Sequence, residues 1–151
     1  MKLVSIFRTP VSVRLTDVGI LAARLGMAFA FIWPGLNKLT DPAGIGQMIQ
    51  TMGLDPLMAV QVATLIGTLE VLSGLFVAVG FMTRPSAIFQ IVILIGAQAI
   101  FGFNYMEGPA IWKDPGLLGL AILLLLTGGA RFSVDHLISR DRNIKDQKVR
   151  V

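Results

Sequence analysis

The sequence predicts an all-α fold: an integral membrane four-helix bundle with both termini on the cytoplasmic side. Three observations carry this prediction. Of the 151 residues, 54% are hydrophobic and the mean hydropathy is +0.75, where soluble domains sit at about 45–50% apolar. The excess is gathered into four blocks, about 17–36, 57–81, 85–103 and 115–130, and roughly 20 apolar residues cross a hydrocarbon core of about 30 Å. Lysine and arginine collect at alternate ends of those blocks, which sets orientation. One transmembrane domain spanning 1–151, with a cytoplasmic tail over 131–151, leaves no room for a separate soluble catalytic domain.

The elements follow in order. Ahead of the first block, Leu3, Ile6, Phe7 and Val11 fall at helical spacing beside Lys2, Arg8 and Arg14. They predict a short helix lying at the membrane interface, limited in regularity by Pro10. Ala28-Phe29-Ala30 has the form of a cleavage site, but Arg24 interrupts the apolar run before it, so no cleaved leader is expected. The first loop, about 37–56, is polar and glycine-rich, and its stretch 45–52 suits a short amphipathic helix. Thr83-Arg84-Pro85 makes a tight turn between the second and third blocks, because proline suits the first turn of the helix that follows. The fourth block is short and is expected to borrow Ala110 and Ile111 or to sit in thinned lipid.

Charge gives the topology. One side carries Lys2, Arg8, Arg14, Arg84 and Arg131, with Arg140, Arg142, Lys145, Lys148 and Arg150 in the tail; the other loops hold only Lys38 and Lys113. Four crossings put every basic cluster in the cytoplasm. The net charge of +4 therefore reads as membrane orientation, with the lipid bilayer as partner and no nucleic acid. The absence of cysteine excludes disulfides and thiolate metal sites. With His136 the only histidine, no metal site and no intrinsic cofactor is expected.

Two charges lie within the blocks. A charge at the centre of a membrane helix costs about 2.5–3.5 kcal/mol on insertion scales and faces the protein interior. Ala59, Ala63, Gly67, Glu70, Gly74 and Ala78 form one helical face, small except for Glu70, which suits close helix packing. Asp17, Leu21, Arg24, Ala28, Phe31, Gly35 and Lys38 form a similar stripe. In an antiparallel pair Arg24 would lie about 4–5 Å to the cytoplasmic side of Glu70. The lean of side chains toward their own helix N-terminus separates the two, while the length of arginine can close the gap. An Arg24–Glu70 pair is therefore one of two open arrangements. Gln90 and Gln98 share nearly one face and could line a polar interior with them. The plain alternative is that these groups glue the bundle by hydrogen bonds. Asn104, Tyr105, Glu107, Trp112, Lys113 and Asp114 gather on the outer side with Trp33 and Lys38. They form either an interfacial belt or a site for a quinone or lipid head group.

The chain resembles the DoxX family of small bacterial four-helix membrane proteins. The resemblance rests on Arg24, then Gly35-Leu36-Asn37-Lys38, Glu70, Gly80 with Thr83-Arg84-Pro85, and the closing run Gly128-Gly129-Ala130-Arg131-Phe132-Ser133-Val134-Asp135. It implies a bacterial inner-membrane protein, associated with a quinone-linked respiratory or sulfur oxidoreductase. It also implies other membrane subunits, or a homo-oligomer, as partners. A bound quinone would bring its own redox chemistry. Its candidate contacts are Arg24, Lys38, Glu70, Gln90, Gln98 and Trp112, with Arg84, Arg131 and Asp135 as structural or topological residues. A non-enzymatic scaffold subunit is the alternative, and a small transporter a third; the lack of a visible internal repeat weighs against the last.

Overall fold

The computed structural model describes residues 12–50, 53–101 and 110–140, apart from the side chains of 100, 101 and 110–112. The expected interfacial helix before residue 12, Asn104, Tyr105 and Glu107, the side chain of Trp112 and the tail from 141 lie outside the described residues. All regular structure in the described residues is helical: α1 Val13–Thr40, α2 Pro42–Gln50, α3 Pro56–Val79, α4 Thr83–Phe101 and α5 Ala110–Thr127, then a short helical segment over 134–140.

Local chemistry sets the boundaries. Ser12 caps α1, its Oγ accepting from the Leu15 N–H at 3.3 Å. Asp55 caps α3, accepting from the Leu57 N–H at 3.1 Å, with Pro56 in the first helical turn, where its missing N–H costs nothing. α3 stops at Gly80, whose φ of 70° places it in the left-handed region. The Phe81 N–H then reaches back to the Phe76 carbonyl at 2.9 Å, closing the helix end. α2 begins at Pro42, earlier than the hydropathy suggested. α5 begins at Ala110, so the fourth block does take up residues ahead of Pro115.

α1 runs against α3 along most of its length, α4 pairs with α5, and α2 lies on α3. The α1–α3 contact is the tightest because small residues meet backbone. A Cβ on Gly35 would come within 2.9 Å of the Gly67 carbonyl oxygen, and one on Gly74 within 2.7 Å of Ile32 Cγ1 and 3.1 Å of the Ala28 carbonyl oxygen. Side chains there would force the helices apart, and close packing is what holds helices together where lipid is as apolar as leucine. Met27, Phe31, Val77, Ala87, Leu94, Ala121 and Leu124 form the apolar core. Phe29, Trp33, Leu57, Leu65, Val92, Ile95 and Leu126 are exposed on the outside. α1 and α3 are each long and apolar enough to cross a membrane.

Candidate functional site

Arg24 is 1% exposed and is the centre of a knot at one end of the helices. Its Nε donates to the Val77 carbonyl at 2.9 Å and its Nη2 to the Ala78 carbonyl at 2.7 Å. Its Nη1 donates to the carbonyls of Gly129 at 3.0 Å and Phe132 at 2.5 Å. The first two acceptors are among the last carbonyls of α3, which lack an i+4 donor and carry the negative end of the helix dipole; Val77 also accepts from the Gly80 N–H at 3.2 Å. The other two belong to the chain after α5. One guanidinium thus ties three parts of the chain together, a task suited to its fixed fork of five donors.

Asp135 completes the knot. Its Oδ1 accepts from the Met82 N–H and its Oδ2 from the Thr83 N–H, each at 2.9 Å, while its own N–H donates to the Gly80 carbonyl at 2.9 Å. A carboxylate there is an N-cap for α4 supplied from fifty-odd residues away, and it explains why α4 starts at Thr83 rather than at Pro85. Met82 and Ala130 hold φ of 47° and 55°, strained values for residues with a side chain, on either side of this network. Gly80 is required twice over, by its φ and because a Cβ would lie 2.5 Å from Arg24 Nη2 and from Ser133 Cβ. Replacing Asp135 by alanine should cost about 0.5–2 kcal/mol, the usual worth of an N-cap. It should lower the thermal midpoint in detergent without changing helix content by circular dichroism.

The Arg24–Glu70 pairing left open by the sequence is not made. Glu70 Oε2 instead accepts from Lys38 Nζ at 2.7 Å. Lys38 lies fourteen residues from Arg24 on α1, about 21 Å along the axis. Two physical reasons account for the difference. The close approach of Gly35 to Gly67 and of Ala28 to Gly74 fixes an antiparallel register that sets Arg24 against the end of α3, beyond Glu70. Side chains lean toward their helix N-terminus, so Lys38 and Glu70 on antiparallel helices lean toward each other, whereas Arg24 and Glu70 lean apart.

The two glutamines do not join these groups. Gln90 is fully buried and neither of its amide atoms has a partner. Gln98 donates through Nε2 to Asp114 Oδ2 at 3.3 Å. The polar interior is therefore distributed among the Arg24 knot, Gln90, the Lys38–Glu70 pair and the Gln98–Asp114 pair. Arg84 is exposed and donates to the Leu126 carbonyl at 3.3 Å. Arg131 is exposed. Among the described residues no cluster of histidine, cysteine, aspartate and glutamate could hold a metal ion. Sequence reasoning missed Asp135 as a helix cap and Asp114 as a partner of Gln98. The paired runs Gly80–Thr83 and Gly128–Asp135 were the available signal for the first.

These features define a small helical membrane protein whose buried arginine and glutamate are both occupied by internal bonds. The chain belongs to the DoxX family, whose model matches residues 19–103. That stretch includes Arg24, Lys38, Glu70, Arg84, Gln90 and Gln98 and stops short of Arg131 and Asp135. Two Escherichia coli K12 proteins are similar along most of the chain. Inner membrane protein YqjF is 33% identical over 130 residues, 84% of this chain and 97% of that protein. Inner membrane protein YphA is 30% identical over 127 residues, 78% of this chain and 88% of that protein. No solved structure matches.

Proposed function

We propose that the chain is a four-span subunit of the bacterial cytoplasmic membrane, with both termini inside, that supports a quinone-linked respiratory or sulfur oxidoreductase without performing the redox step itself. The observation that carries the supporting role is the use of the interior charges. Arg24 is bound to four backbone carbonyls and Glu70 is held by Lys38, so both act as fasteners. The chain has no cysteine and a single histidine, so redox groups come with a partner or a quinone. The orientation rests on Arg14, Arg84, Arg131 and Arg140 falling at one end of the helices, as the asymmetry of basic residues in membrane proteins requires.

Gln90 gives the quinone reading a physical foothold. A buried amide without partners costs about 1–3 kcal/mol, and its Nε2 is a donor suited to a quinone carbonyl. Extraction of the tagged chain in mild detergent, with mass spectrometry of both proteins and lipids, tests the proposal. Subunits of an oxidoreductase, or a stoichiometric quinone that is lost in Gln90→Leu, are expected to co-purify. A chain that runs alone and free of quinone overturns it.

A further inference from the structure

At the same end as the Arg24 knot, a cleft of about 490 Å³ opens between the start of α4, the end of α5 and the segment 134–140. Its polar wall is built by Arg84, His136, Thr127 and Ser139, and its apolar lining includes Met82, Pro85 and Ile138. The donors in it can be sorted. Thr127 and Ser139 spend their hydroxyl protons on the carbonyls of Leu123 and Asp135, at 2.7 and 2.8 Å, so their oxygens remain as acceptors. Arg84 commits Nη2 to Leu126 at 3.3 Å, leaving most of its five N–H groups uncommitted. The carboxylate in the wall, Asp135, has both oxygens engaged by the N-terminal N–H groups of α4, which offset its charge.

The cleft therefore offers a cationic donor set, hydroxyl oxygens that accept, and an apolar rim. It lies at the same end of the helices as Arg14 and Arg131. Met82, Ile138 and the neighbouring Phe132 are all well exposed there, positioned to meet acyl chains. We infer that this cleft binds the head group of an anionic phospholipid bearing free hydroxyls, its phosphate on Arg84 and His136 and its hydroxyls donating to Thr127 and Ser139. The inference goes beyond the supporting role and requires only that this end of the helices lies at a membrane surface.

Native mass spectrometry of the full chain, released from micelles doped equally with phosphatidylglycerol and phosphatidylcholine, provides the test. The wild type is expected to retain phosphatidylglycerol preferentially. A cation near an anionic membrane surface contributes about 1 kcal/mol, so Arg84→Gln should weaken retention about fivefold. His136→Ala should weaken it further through loss of a hydrogen bond. Arg140→Gln, outside the cleft, should leave retention unchanged. If Arg84→Gln lowers the melting midpoint, His136→Ala alone reads the site, since the His136 side chain holds no part of the knot. Equal retention of the two lipids overturns the inference, as does undiminished phosphatidylglycerol binding in the cleft variants. Competition by free glycerol 3-phosphate as strong as that by the lipid would reassign the cleft to a soluble phosphate and overturn it as well. None of these outcomes bears on co-purification with an oxidoreductase.

Discussion

Replacing Arg24 by methionine will release the end of the helices where α3, the α3–α4 turn and the chain after α5 meet. Methionine fills similar space but donates nothing, so the carbonyls of Ala78, Gly129 and Phe132 lose their partner and that of Val77 keeps only the Gly80 N–H at 3.2 Å. Hydrogen bonds to charged groups are worth about 1.5–3 kcal/mol each, and a buried acceptor left unsatisfied costs about 1–3 kcal/mol. The acceptors act as a unit, so these values do not add; a loss of at least about 3 kcal/mol is expected, a large share of total stability. Unfolding in mixed micelles should show that loss, and the chain after residue 127 should become sensitive to protease first. Arg24→Lys should recover part of the stability, because an ammonium has three donors but cannot span the four acceptors with a planar fork. Loss of stability in Arg24→Met no greater than that of an exposed substitution would mean the knot does not form.

The second large effect concerns Glu70. Glu70→Leu should strand the Lys38 ammonium inside the α1–α3 contact. Breaking a buried ion pair by removing one partner costs roughly 3–5 kcal/mol. Lys38 keeps 21% of its side chain exposed, which lets the stranded charge reach solvent and places the cost toward or below the lower bound. The signature is in the pairing. Lys38→Met combined with Glu70→Leu should be more stable than Glu70→Leu alone, because the uncompensated charge has gone. A double-mutant cycle should return a coupling of about 1–3 kcal/mol, while Arg24→Met combined with Glu70→Leu should be additive. Coupling of Glu70 to Arg24 instead of to Lys38 would refute the observed register.

Much of the fold was legible in the residues themselves. The small face through Gly67, Glu70 and Gly74 and the stripe through Arg24, Gly35 and Lys38 both face the contact they predicted, because only small residues permit an approach this close. The choice of partner for Glu70 was harder to see. It depends on register, and register depends on which glycine meets which backbone, something a periodicity leaves free. The lean of side chains along a helix carried the missing information: applied to Lys38 as well as Arg24, it favours the pair that forms. Asp135 was recognisable as part of a motif but not as a helix cap, since its targets at Met82 and Thr83 are remote in the chain. Gln98 was one candidate to line a polar interior with Gln90, Arg24 and Glu70, the other reading being a hydrogen bond that glues helices; it bonds Asp114, which hydropathy had placed before the fourth block rather than inside α5.

Arg24 organises one end of the protein by binding backbone. Hydrogen exchange of the full chain in detergent, wild type against Arg24→Met, tests this most directly. In the wild type the N–H groups of Met82, Thr83 and Asp135 donate within the knot and should be protected together. In Arg24→Met all three should lose protection, while the amides around Lys38 and Glu70 keep theirs. Protection at Met82, Thr83 and Asp135 that is absent in the wild type, or unchanged in the variant, would contradict the account.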